Sequence, residues 1–449
     1  MENEMKLTGR HLALEITFLF TLVAITASAS RAQGVPPPCI ANPATENAVM
    51  EWNCRTVNYA LSSTFGGALR QIRAMAIVQL AVHNSVNGIT HEYQTYRRDE
   101  LNDPPNNADT NAAAIGAAYQ ALYAIVNAAQ RTALDTELAA SLLARGIAAD
   151  DPSLLYGKAE GQHVADLRAT DGSGAAAQCA YADITDPQPG QWIRILNVET
   201  HTTPAAATPC WKDVPTFVLN SRDQFPIDAP PSLTSEKYLT DLLEVKNYGG
   251  QNSDTLRQVW QTRIADFWDG APVAITNQVV RQAAAAQHRG LSADARAFAL
   301  VYVAGTDASI ACFYYKYSFL FWRPETAINN SSPLPGGAYW KPYIFPSHPH
   351  PEYPSGHSVN SGSLLAAAAL AFGDDPGVVM TPTIIRNGIT VTPTWETFSE
   401  GIDEVVNARV YSGLHYRFTD EASVNLGSRI SRFVYTHAFG KCNNGKKCD

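Results

Sequence analysis

Residues 293–324 read ADARAFALVYVAGTDASIACFYYKYSFLFWRP. Apolar side chains recur at three- and four-residue spacing, which predicts a helix over 293–322. Pro324 stops it, because proline has no amide to continue the ladder. Lys316 and Arg323 stand near its end with six residues between them. Seven positions carry a helix through nearly two revolutions, so both cationic heads share a face. Around them lie Phe313, Tyr314, Tyr315, Tyr317, Phe319, Leu320, Phe321 and Trp322. Two cations in that apolar company are costly unless an anion meets them. On their own they also read as charges snorkelling from a helix surface.

Helix signals continue on both sides of this stretch. The same periodicity predicts helices over 65–89, 111–127, 131–146, 153–169, 232–245, 253–268, 272–289, 355–372, 398–410 and 419–439. Residues 171–231 and 331–354 are rich in Pro, Gly and aromatic side chains and read as ordered loops. Residues 383–393 alternate Ile and Val with polar residues around Asn387-Gly388, the one hairpin signal. No repeat or low-complexity linker interrupts the pattern. The expected fold is all-α, one large helical bundle with a small β-hairpin, the first helices packing on the last. Composition agrees, with 45% apolar and 17% charged residues, and the net charge of −9 gives no support for a nucleic-acid partner.

Lys6, Arg10 and His11 precede an apolar run over 16–29 that ends in small residues near Ala32. This pattern predicts a secretory leader over 1–32, with 33–449 as one domain whose anion-site core spans about 255–440. A single membrane anchor is the alternative, but the run is shorter than the ~20 residues a span needs. No later stretch reads as a membrane span. Export permits disulfides. Pairing near neighbours joins Cys39 with Cys54, Cys179 with Cys210 and Cys442 with Cys448, leaving Cys312 as a small buried side chain; spacing alone does not prove this connectivity. Without a CxxC, a structural zinc site is not expected.

Two further stretches resemble the Lys316/Arg323 pair in their chemistry. Pro354-Ser355-Gly356-His357 opens a helix, where free amides and the positive dipole end favour an anion. Ser355 caps the helix and carries a hydroxyl donor, Gly356 lets its amide approach an oxyanion closely, and His357 suits proton transfer. Arg409 and His415 have five residues between them, with Asp420 beyond. They meet only if Arg409 ends a helix and Tyr411-Ser412-Gly413 turns the chain. Taken singly, these are a plain cap and a histidine in a turn. Taken together, two arginines, a lysine, a hydroxyl, an amide and two imidazoles suit a tetrahedral or bipyramidal oxyanion.

This set resembles the signature of the vanadium haloperoxidase and type 2 phosphatidic-acid phosphatase superfamily, in its soluble branch. The likeness extends to Phe267-Trp268-Asp269-Gly270 and Asp307-Ala308-Ser309-Ile310. It implies that Lys316, Arg323 and Arg409 bind the equatorial oxygens of vanadate, with Ser355 and Gly356 adding hydrogen bonds. It also implies that His415 is the axial ligand of vanadium, His357 the acid–base residue, and Asp269 the carboxylate that braces Arg409. Asp420 would steady the His415 loop, although Thr419 adds one residue to the familiar spacing. His350, seven residues before His357, resembles the bromide-oxidising members, whereas Phe313 stands where chloride-oxidising members carry a bulky aromatic.

The resulting expectation is a secreted or periplasmic vanadate-dependent peroxidase. It would use hydrogen peroxide, bromide or iodide, and a small organic acceptor; the resemblance allows a homodimer, and the sequence leaves the oligomeric state open. Phosphate would compete for the same site. An acid phosphatase with His415 as nucleophile and a non-catalytic oxyanion binder are the alternatives.

Overall fold

Where the chain places its apolar surface explains the architecture of the computed structural model, which describes residues 33–62, 64–96, 103–176, 179–251, 255–331 and 338–442. The helices are α1 (Ala48–Ala60), α2 (Ala68–Thr90), α3 (Thr110–Ile125), α4 (Ala128–Arg145), α5 (Pro152–Leu167), α6 (Ser173–Ala176), α7 (Glu236–Tyr248), α8 (Val259–Phe267), α9 (Pro272–Gln287), α10 (Leu291–Phe319), α11 (Pro324–Ser331), α12 (Gly356–Phe372), α13 (Phe398–Tyr411) and α14 (Arg417–His437). Helix α10 is apolar on nearly every side, so it is enclosed on nearly every side. It packs against α2 on one flank and against α12 and α14 on the other. Its closest crossing uses Gly305, where a Cβ would come within 2.5 Å of Leu364 Cδ2 on α12. Helices α12 and α14 approach through Gly427, whose Cβ would lie 2.7 Å from the backbone of Val359 and Ser363. The main core forms around this layer, with α3 and α5 packed together beside α2. A smaller aromatic cluster, including Phe321, Trp322, Tyr353, Tyr416 and Phe418, lies beside the lower end of α10.

The hairpin is present as β1 (Ile384–Arg386) and β2 (Ile389–Val391), antiparallel, with Asn387 and Gly388 at φ 51° and 77°. That left-handed pair is the conformation a two-residue turn needs. Val35 bridges to Ile385. The described residues, 33–442, form one compact unit.

Several expectations change. Helix α10 ends at Phe319 rather than 322, and Leu320 turns left-handed at φ 50°. The 190–192 loop then pairs with the following residues, Trp192 N donating to Leu320 O and Trp322 N to Gly190 O. Pro324 therefore opens α11 instead of closing a helix, a position where its missing amide costs nothing. Helix α1 was not expected. Helix α8 is shorter than its predicted span, part of which, 252–254, lies outside the described residues. Helix α10 is also long and apolar enough to cross a membrane, contrary to expectation, but 94% of that window is buried within the protein. Cys39–Cys54 and Cys179–Cys210 are disulfides, and Cys312 is a buried free thiol. The expected Cys442–Cys448 pair and the leader over 1–32 involve residues outside those described.

Candidate active site

Lys316 sits in the last turn of α10, fully buried, and its Nζ donates to the carbonyls of Pro351 (2.7 Å) and Glu352 (3.0 Å). Burial pushes the ammonium down to about 7, and Arg323 adds to the push. Arg323 does not extend along α10 as expected. The break at Leu320 places it at the mouth of α11, also fully buried. Its Nε donates to His350 O (3.1 Å), its NH2 to His348 O (3.2 Å) and His350 Nδ1 (3.0 Å), and its NH1 to Leu414 O (3.0 Å) and His415 Nε2 (3.2 Å). Burial brings its pKa down to about 10, so it stays a cation at neutral pH.

Arg409 ends α13, and the turn after it is the one expected. Gly413 takes φ 77°, and a Cβ there would come within 2.3 Å of Gly249 O, so only glycine fits. The turn carries His415 back beneath α12. Arg417 anchors its far side through Glu244 (2.6 Å). Arg409 NH1 donates to Trp268 O (3.0 Å), while its Nε and NH2 are buried with no hydrogen-bond partner among the described residues. Its charge reaches far enough to lower the pKa of Arg323, His357 and His415.

Ser355 is the buried N-cap of α12, its Oγ accepting from Ser358 N (3.3 Å). Gly356 follows, and a Cβ on it would touch Lys316 Cε at 3.5 Å and Phe313 Cε2 at 3.9 Å. Gly356, His357, His350 and Phe313 line a cavity of about 360 Å³. The His350 and Phe313 rings stand 5.7 Å apart. His357 Nε2 has no hydrogen-bond partner among the described residues. Burial, and then Arg409, hold His357 well below the usual imidazole range, so it is neutral. The three stretches therefore converge: His357 and Gly356 line the cavity, Lys316 Cε lies 3.5 Å from a Cβ built on Gly356, Arg323 NH1 lies 3.2 Å from His415 Nε2, and the charge of Arg409 acts on both His357 and His415.

Two carboxylates are placed differently from expectation. Asp269 does not hydrogen-bond Arg409; that bond comes from the carbonyl of its neighbour Trp268. Asp269 pairs instead with Arg386 of β1 at 3.2 Å. Burial pushes Asp269 up to about 6, while Arg386 and then Arg409 draw it down. Asp420 does not touch His415 either. The extra residue Thr419 rotates it along α14, where it accepts from Ser358 Oγ at 2.6 Å. The carboxylate on His415 is Glu352, which the sequence reading missed: Oε1 lies 2.8 Å from His415 Nδ1. Its only sequence signal was a charged residue at Pro351-Glu352-Tyr353-Pro354, inside an otherwise apolar and aromatic segment.

Residues 296–444 match the family described as the VCPO second helical-bundle domain. Over this stretch, about a third of the chain, it is similar to that helical-bundle domain. A vanadium chloroperoxidase from Curvularia inaequalis is 33% identical over 138 residues, 25% of this chain, and the match spans 23% of that relative's length. The structure of a bacterial vanadium-dependent iodoperoxidase superposes with a TM-score of 0.74 at 22% identity, covering 91% of this chain and 100% of that one. A holo-type bacterial vanadium-dependent chloroperoxidase gives 0.64 at 16% identity over 87% and 97%. At these identities the two structures show that the chain shares their fold. Lys316, Arg323, Ser355, Gly356, His357, Arg409 and His415 all fall within the matched domain, and Asp269 precedes it.

The donors present fit an oxyanion of the vanadate or phosphate kind. An oxyanion accepts hydrogen bonds only, and the buried Nε and NH2 of Arg409 are donors with nothing to receive them. The imidazole of His415 complements them, because it is neutral and Arg323 NH1 points at its unprotonated Nε2.

Proposed function

We propose that this chain is a vanadate-dependent haloperoxidase that oxidises bromide or iodide with hydrogen peroxide. The supporting observation is the pairing of Arg409's two partnerless donors with a neutral His415 beside them. Lys316, Arg323 and Arg409 would hold the negative oxygens, since arginine can grip them in fork geometry and lysine supplies a point charge. Ser355 and the Gly356 amide add donors at the start of α12. His415 would hold the group through its Nε2. Vanadate, when bound, supplies the centre at which peroxide is activated for oxygen transfer to halide, yielding hypohalous acid for a small organic acceptor. His357 opens on the cavity with a free Nε2 and accepts the proton that peroxide loses there. His350 and Phe313 form the wall a halide meets.

The Glu352–His415 pair favours a second reading, an acid phosphatase in which His415 Nε2 attacks phosphorus and His357 protonates the leaving group. Parallel assays separate the two. Vanadate-loaded protein should brominate a phenolic dye with peroxide. If it does not, and the vanadate-free protein hydrolyses p-nitrophenyl phosphate, the phosphatase reading replaces the first. The leader-like residues 1–32 and the disulfides support export, which the N-terminal sequence of the mature protein tests.

A further inference from the structure

We propose that Glu352 is the positioning residue of the site: it accepts the Nδ1–H of His415 and so presents the unprotonated Nε2 to the bound oxyanion. The inference rests on the oxyanion reading above and assigns to Glu352 the part that spacing gave to Asp420.

The contact with Arg323 fixes the tautomer, and the contact with Glu352 agrees with it. Arg323 NH1, which only donates, lies 3.2 Å from His415 Nε2, so that nitrogen accepts. The proton is then on Nδ1, 2.8 Å from Glu352 Oε1. The three side chains form a line of guanidinium, imidazole and carboxylate. Glu352 is held in that line from every side. Its N donates to Phe321 O (2.9 Å), and its carbonyl accepts from Lys316 Nζ (3.0 Å). Oε1 also accepts from Tyr416 N (3.2 Å), and Oε2 from Thr419 Oγ1 (2.9 Å). Helix α14 thus offers Glu352 a hydroxyl donor at Thr419 and turns Asp420 away to Ser358.

A fully buried carboxylate with no directly bonded cation is expensive. Here it orients a ring, as carboxylates behind metal-bound histidines do. Without it, the proton can move to Nε2, which then faces the Arg323 donor and has no lone pair for a ligand bond.

The test has two readouts besides turnover. The first is ¹⁵N NMR of selectively labelled histidine in vanadate-free protein, with His415 assigned by difference against His415→Asn. Wild type should show Nδ1 protonated and Nε2 bare. Glu352→Ala should move His415 toward the other tautomer, and Glu352→Gln should retain the wild-type pattern, since an amide oxygen also accepts. The second is equilibrium binding of inorganic vanadate and phosphate, which Glu352→Ala should weaken about 10- to 100-fold, with Glu352→Asp recovering part of the loss. Asp420→Asn should leave the His415 signals unchanged. If Glu352→Ala does not fold, Thr419→Val carries the test, with a smaller shift in the same direction. The inference is overturned if the tautomer and anion affinity survive Glu352→Ala, or if Asp420→Asn changes them instead. If wild type shows the expected tautomer yet binds neither anion, the proposed function fails while the placement of Glu352 stands.

Discussion

Arg409 is the residue whose surroundings most need a ligand. It is fully buried, and among the described residues only NH1 has a hydrogen-bond partner. Each buried donor left without an acceptor costs about 1–3 kcal/mol, and a buried charge replaced by an apolar side chain of similar volume is often stabilising. Arg409→Met should therefore raise the melting temperature of ligand-free protein, while inorganic phosphate, which should stabilise wild type by mass action, no longer does so. A lower melting temperature with the phosphate effect retained would make Arg409 a structural cation. Arg409, His415 and the Ser355-Gly356-His357 cap were all legible in the sequence, because each pairs a chemical type with a local turn or helix start. Glu352 was not, because its meaning depends on Tyr416 and Thr419 arriving from more than sixty residues away.

Elements were legible wherever periodicity and breakers agree. Helices α2, α3, α5, α9, α12 and α13 lie within a few residues of expectation. The exception that matters most is the end of α10. The run stays apolar through Trp322, so pattern alone extends the helix, and the break at Leu320 depends on the distant 190–192 loop. Helix α1 was missed because its Glu51 and Asn53 are buried, against the usual polarity rule; Glu51 is neutralised by Arg55 and Arg145. The Cys39–Cys54 disulfide ties the segment that meets β1 to this helix and closes a loop of 15 residues. Cys39→Ser should cost about 3 kcal/mol in urea unfolding under oxidising conditions, from the chain entropy restored to the unfolded state. An unchanged midpoint would show that the strap contributes nothing.

At the scale of the molecule, pH dependence reports the buried carboxylates. Asp307 on α10 anchors the 217–219 loop, accepting amides from Phe217, Val218 and Leu219, and burial pushes it up to about 6 against those bonds. Because its folded pKa lies above the unfolded ~3.9, the native state binds the extra proton. That stabilisation is fully present below about pH 4 and is lost as pH rises through about 6. Asp307→Asn is less stable overall for want of acceptors. Over this window, however, wild type should lose on the order of 3 kcal/mol relative to the variant, read from urea midpoints at several pH values. Parallel pH profiles would contradict the shift.

The central claim is that three distant stretches build one oxyanion site. Titrating vanadate into the purified chain, with bound vanadium quantified by mass spectrometry, tests it most directly. One vanadium per chain, displaced by excess phosphate and lost in His415→Ala with the fold intact, is the predicted result. Failure to bind vanadate, or binding unaffected by phosphate and by His415→Ala, would contradict it.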